Sequence, residues 1–149
     1  GRFFPEEDDT HSHPPGENLK ANEFLHRRLT VEDAARAHIA ALEKAPEIGF
    51  GTYLVSAPTP FVREDAAELK HDAAAVIARY FPEAPALYAA RGWELPTRIG
   101  RVYDSGRIMR ELDFTFDTDF ATILAALRDD TPLPFEHDAD YISPKEVEA

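Results

Sequence analysis

The chain has 149 residues, 44% of them hydrophobic, with 28 acidic against 16 basic side chains and a formal net charge of −12. That length holds one domain with a real core, and the surplus of carboxylates repels phosphate backbones, which argues against nucleic-acid or anionic-membrane binding. No apolar run reaches the ~20 residues that cross a bilayer, the opening Gly1-Arg-Phe-Phe-Pro5 is not a signal peptide, and the lack of cysteine excludes disulfides and thiol chemistry and fits the cytoplasm.

Residues 5–18 carry Pro, Glu, Asp and His with almost nothing apolar and read as an exposed loop. A helix is expected from Val31 to Lys44, with Thr30 as N-cap and Glu32 and Asp33 opposing the positive end of its dipole. Val31, Ala34, Ala35, His38 and Leu42 fall on its apolar face, and Pro46 and Gly49 end it. Thr52–Ser56, β-branched and aromatic between Gly51 and Pro58, reads as a short buried strand. A second long helix is expected from Arg63 to Phe81, with Ala66, Leu69, Ala73, Val76, Ile77 and Tyr80 inward, and Ala86–Ala90 adds one more turn. Asp104 can cap a short helix that buries Ile108 and Leu112; Leu112-x-Phe114-x-Phe116 then alternates like an extended segment. Asp117 or Thr118 is expected to cap a last helix with Phe120, Ile123, Leu124 and Leu127 on its apolar face. The tail from Asp129 is polar and Pro-rich. A few short strands under about four helices make an α/β, mostly helical α+β fragment of the kind that caps something larger.

Little here carries catalysis. The only close glycine pair, Gly49-Phe-Gly51, lacks a third glycine and precedes a strand instead of opening a helix, so it is a turn and not a dinucleotide loop. Tyr141 and Lys145 are four apart, but Pro144 between them disfavours a helix. His11 and His13 beside Asp8 and Asp9 could ligate a metal, yet nothing there enforces geometry, and no metal is expected. His38 reads as a hydrogen-bonded core histidine and Trp93 as a packing residue. The arginines say more. Arg91, Arg98, Arg101, Arg107 and Arg110 crowd into twenty residues with only Glu94 and Asp104 against them, a local charge of +3 in an acidic chain. Planar guanidinium groups suit phosphate, so this is the best candidate anion site; His26-Arg27-Arg28 is a weaker second patch.

Two stretches, Leu29–Glu43 and Arg101–Phe114, in that order and at that separation, resemble the C-terminal half of the extended short-chain dehydrogenase/reductases, the NAD-dependent epimerases and dehydratases. Val31-Glu-Asp33-Ala-Ala-Arg-Ala-His38 is similar to the family's V-x-D-(apolar)-A-x-A helix start, Tyr53–Ser56 to a family strand, and Asp104 through Leu112 and Phe114 to its D-x-x-K/R-A-x-x-x-L-G-(aromatic) helix. Arg2–Pro5 resembles the segment after the sixth Rossmann strand. Four positions depart from the pattern: His26 stands where an arginine often lies five residues before Val31, Asp113 replaces the usual Gly, Phe116 the usual Pro, and Val62 a common capping Ser or Thr. The family's dinucleotide and catalytic motifs lie upstream, so the resemblance implies a portion that begins after them and binds substrate without catalysing.

The resemblance further implies residues 1–29 as the connection leaving a Rossmann part, 30–128 as a substrate-binding subdomain and 129–149 as a tail. Its substrate would be anionic and nucleotide-sugar-like, held by Asn18 and Leu19 at the nucleotide and by Arg91, Arg98 or Arg101 at the diphosphate. NAD or NADP would belong to the full-length protein, not to this chain. A Rossmann half, a partner chain or a second copy would cover an exposed apolar face. The other reading from sequence is a stand-alone, non-catalytic acidic binding or assembly module.

Overall fold

A computed structural model describes residues 16–135, and within them the backbone forms seven α-helices and no strand. They are α1 (Gly16–Glu23), α2 (Val31–Ile48), α3 (Ala66–Leu69), α4 (Ala73–Tyr80), α5 (Ala84–Ala90), α6 (Gly106–Glu111) and α7 (Phe120–Asp129), with a 3-10 turn at Arg63–Asp65 leading into α3. The expected α/β class is therefore wrong for these residues: the fold is all-helical, without a sheet of the Rossmann type. The strand expected at Thr52–Ser56 is extended chain without a partner strand. Side chains hold it instead. Tyr53 Oη donates to Glu111 at 2.9 Å, and Arg107 donates to the Thr52 carbonyl at 3.0 Å while lying 5.0 Å over the Tyr53 ring.

α1 starts inside the stretch read as exposed loop, and its Gly16 and Asn18 are buried. The signal is missing because α1 is polar: tertiary partners, not an apolar stripe, hold it. Asn18 Nδ2 donates to the Glu94 carbonyl at 3.0 Å and its Oδ1 accepts the Glu94 N–H at 2.9 Å, while Asn22 donates to the same carbonyl at 3.0 Å.

α2 begins as expected, Thr30 Oγ1 accepting the Asp33 N–H at 3.2 Å. It runs four residues past Lys44, because Pro46 stands exposed in the last turn and Gly49, at φ +74°, closes the helix by donating to Ala45 at 2.8 Å. Its inward face differs from the expected one. Asp33, Ala34 and Ala37 are buried, with Ala40 and Ala41 half-buried after them; Val31 is 51%, Ile39 55% and Leu42 75% exposed. Small residues let α2 lie close on α6 and the chain after it, and the larger apolar side chains face out. His38 is exposed with them; its Nδ1 lies 2.7 Å from the Ala34 carbonyl, so it is hydrogen-bonded but not a core residue.

The long helix expected over Arg63–Phe81 is split. Asp72 caps α4 by accepting the Ala75 N–H at 3.1 Å, and the main chain at the break is tied to another segment: Ile99 N–H to Leu69 at 2.6 Å and Ala73 N–H to Thr97 at 3.1 Å. Val62, which cannot cap with its side chain, has its own N–H taken by Asp65 Oδ2 at 2.9 Å. α6 and α7 fall where expected, although Asp119 caps α7, accepting the Thr122 N–H at 2.8 Å, in place of Asp117 or Thr118.

Two apolar clusters form the core. The larger gathers Phe24, Leu25, Leu69, Val76, Ile77, Tyr88, Trp93, Phe120, Ile123 and Leu124; the smaller gathers Ala37, Ile108, Leu112 and Phe114 under α2. Asp33, fully buried at the start of α2, accepts the N–H groups of Asp117 at 3.0 Å and Thr118 at 3.1 Å, pinning α2 to the chain that enters α7.

A candidate anion-binding cleft

The hydrogen bond from Ile99 to Leu69 lays residues 97–102 alongside the 3-10 turn and α3 and opens a cleft of about 650 Å³ between them. A second cavity of about 470 Å³ adjoins it, sharing Lys70 and Gly100 and adding Arg98. The larger volume lies within the ~300–1,000 Å³ of small-molecule sites. Arg63, Lys70 and Arg101 line the cleft, and with Arg98 next door they set four cations against one acid, Asp104, whose Oδ1 is engaged by the Gly106 N–H at 2.7 Å.

Their freedom marks these cations out. Across the described residues, Arg27 and Arg28 pair with Glu23, Arg36 with Asp33 and Asp117, Lys44 with Glu47, Arg79 with Asp65 and Glu68, Arg91 with Asp130, Arg107 with Glu111 and Arg128 with Glu83. Among the described residues no carboxylate lies within 4.0 Å of Arg63, Lys70, Arg98, Arg101 or Arg110, and all but Arg110 line these two adjoining cavities. Arg101 makes only a long bond of 3.4 Å to Tyr103 Oη. Four cations that face no carboxylate among the described residues therefore cluster around these two cavities in an otherwise acidic chain.

The residues expected to bind substrate are thus divided. Arg98 and Arg101 are in the cleft region. Arg91 is held at 2.8 Å by Asp130, Asn18 is buried against the Glu94 backbone, and Leu19 is half-buried on α1; none of the three lines the cleft. Arg63 and Lys70 were not legible as site residues, because they lie some thirty residues from the arginine cluster and are brought to it by the main-chain ties of Leu69 to Ile99 and Ala73 to Thr97. In the weaker His26-Arg27-Arg28 patch both arginines are engaged by Glu23, and burial together with the neighbouring Arg27 charge lowers the His26 pKa to about 4. Trp93 is a packing residue, edge-on to Tyr88 at 5.4 Å.

No group of three His, Cys, Asp or Glu side chains among the described residues could hold a metal, and Gly49 and Gly51 follow a helix instead of opening one. His11, His13, Tyr141 and Lys145 lie outside the described residues. No described helix is long and apolar enough to cross a membrane. No protein-family model, curated protein or solved structure matches this chain.

Proposed function

We propose that this chain is a binding lobe without catalysis of its own, and that the cleft between residues 59–70 and 98–104 holds a small, multiply charged anion. A phosphate-bearing substrate, of which a nucleotide-sugar-like molecule is one example, fits that class; its chemistry would be carried out by groups outside residues 16–135, with NAD or NADP as the cofactor of that larger protein. The observation that carries the reading is the gathering of Arg63, Lys70, Arg98 and Arg101, without a carboxylate partner among the described residues, around two adjoining cavities that share Lys70 and Gly100. Arginine forks and a lysine point charge together suit phosphate oxygens.

The test is titration of the chain with inorganic pyrophosphate at low ionic strength, followed by amide chemical shifts. Saturable shifts are expected around residues 61–70 and 98–104, weakening as salt is raised. The double variant Lys70→Ala/Arg98→Ala should lose at least tenfold in affinity, and Arg128→Ala, which removes a positive charge outside the lining of both cavities, should lose little. A Cβ at Gly100 would meet nothing within 4 Å, so Gly100→Leu extends into open space beside the cleft and should block binding while folding normally. Shifts scattered over the surface, or equal losses in all the variants, would overturn the reading.

The second reading, an assembly module, is favoured by the outer face of α2, where Val31, Ile39 and Leu42 stand exposed. A monomer at millimolar concentration in sedimentation would count against self-assembly through that face.

A further inference from the structure

The cleft is charged at its rim but apolar on its walls. Phe61, Val62, Ala66, Leu69, Ile99 and Val102 line it, and Val62 keeps 52% of its surface exposed. Phe61 is braced edge-on against Tyr80 at 5.7 Å, and Leu69 and Ile99 belong to the larger core cluster, so the apolar wall is backed by packed residues.

Neutral polar groups are scarce there. Thr59 is the one neutral side-chain hydroxyl in the lining, and its Oγ1 accepts the Phe61 N–H at 3.4 Å. Part of the wall's main chain is engaged as well. The Val62 N–H goes to Asp65, the Val62 carbonyl accepts the Asp65 N–H at 3.1 Å, and the Leu69 carbonyl accepts Ile99.

A polyhydroxylated group turned to the side chains of this wall would give up water and meet Thr59 as the one neutral hydroxyl there, whereas a hydrocarbon surface loses nothing polar by entering. The wall shares its cleft with Arg63, Lys70 and Arg101, and Arg98 lies in the cavity that adjoins it at Lys70 and Gly100, so one ligand can reach both wall and cations. From this we infer that the ligand is an amphipathic anion: an aryl or branched hydrocarbon group bonded directly to a phosphate, the ring or chain against Phe61, Val62 and Ile99 and the phosphate among Lys70, Arg98 and Arg101. A sugar phosphate with its hydroxyls turned to that wall is the poorer match. The inference rests on the anion-binding reading above and narrows it to a ligand class.

Three probes separate the two claims: inorganic pyrophosphate, glucose 1-phosphate and 1-naphthyl phosphate, each titrated into the whole chain in the same low-salt buffer. The last two carry the same phosphate monoester and differ in what it bears. Naphthyl phosphate is expected to bind at least tenfold more tightly than glucose 1-phosphate. Val62→Asn, at an exposed position that should not disturb folding, is expected to narrow that gap and leave pyrophosphate unchanged. Lys70→Ala/Arg98→Ala is expected to weaken all three probes together. If pyrophosphate binds and naphthyl phosphate shows no advantage, the amphipathic inference falls while the anion site stands. If none of the three binds, the anion-site reading falls and takes this inference with it. Tight naphthyl phosphate binding that survives loss of Lys70 and Arg98 would place the ring elsewhere and also overturn the inference.

Discussion

Asp33 shows how much one side chain settles in this fold. It has no solvent exposure, yet its carboxylate takes two backbone N–H groups from residues 117 and 118 and the Arg36 guanidinium at 2.8 Å. Removing a buried charge that others depend on leaves those partners unsatisfied, at about 3–5 kcal/mol. Asp33→Ala should therefore lower the urea midpoint by the equivalent of about 3–5 kcal/mol, and Asp33→Asn, which keeps one acceptor oxygen, should lose visibly less. Equal losses for the two would show that packing, not hydrogen bonding, is what Asp33 supplies. His26 makes a second point. Its Nδ1 is buried without a hydrogen-bond partner, and its pKa is lowered to about 4 by burial first and by Arg27 second. Protonation then favours the unfolded chain, whose histidine titrates near 6.5, so the contribution of neutral His26 is intact above pH ~6.5 and is lost as the pH falls toward 4. Carboxylates such as Asp65 and Glu68, held low by Tyr80 and Arg79 respectively, lose their contributions at lower pH still. Urea unfolding of the chain and of His26→Gln between pH 4 and 7.5 separates these. The native chain should lose up to ~1.4 kcal/mol per pH unit relative to the variant in that window, and parallel profiles would refute the assignment.

At the scale of elements, the two faces of α2 give the sharpest contrast. Ala37 is 4% exposed and sits among Ile108, Leu112 and Phe114, whereas Leu42, the larger side chain, is 75% exposed. Leu42→Lys should change stability by no more than about 0.5 kcal/mol, while Ala37→Leu, which forces extra volume between α2 and α6, should cost about 1–3 kcal/mol. Thermal melts of the two variants check this, and the reverse order would mean that the outer face is the packed one. The same helix explains what could be read from the sequence. Its start was legible because Thr30 and Asp33 are local chemistry, and so was the α7 face of Phe120, Ile123, Leu124 and Leu127. Its inward side was legible only at Ala34: the expected face also took in Val31, Ala35, His38 and Leu42, which are exposed, whereas close packing selects Asp33, Ala34 and Ala37. Thr52–Ser56 has strand composition but no neighbouring strand to pair with, a fact that lies outside the segment itself. The break in the 63–81 helix depends on residues 97 and 99, far along the chain. Half of the candidate site shared that fate: Arg98 and Arg101 stood in a visible cluster, but Arg63 and Lys70 became neighbours of it only through the fold.

For the whole molecule, the question is whether two apolar clusters behave as one. Trp93, 8% exposed, reports from the larger cluster, while Phe114, 5% exposed, anchors the smaller one edge-on to Phe116 at 4.9 Å. Between them run the Asp33 bonds to residues 117 and 118, the Tyr103 N–H to the His26 carbonyl at 2.9 Å and the Ala57 N–H to the Arg28 carbonyl at 2.8 Å. These ties are buried or half-buried, and breaking them to free one cluster would strand polar groups that have no alternative partner. Opening the smaller cluster alone therefore carries much of the penalty of opening both. The expected result is a single cooperative transition, with tryptophan fluorescence and far-ultraviolet circular dichroism giving the same urea midpoint. Phe114→Ala tests it from the far side. The cavity should cost about 3–5 kcal/mol, and if the clusters unfold together the Trp93 transition must move by as much as the helical one, although Trp93 belongs to the other cluster. Should the fluorescence midpoint stay where it was while the dichroism splits into two steps, the chain is two cooperative units, and the cleft, whose Leu69 and Ile99 belong to the Trp93 cluster, would keep its shape without α2 and α6.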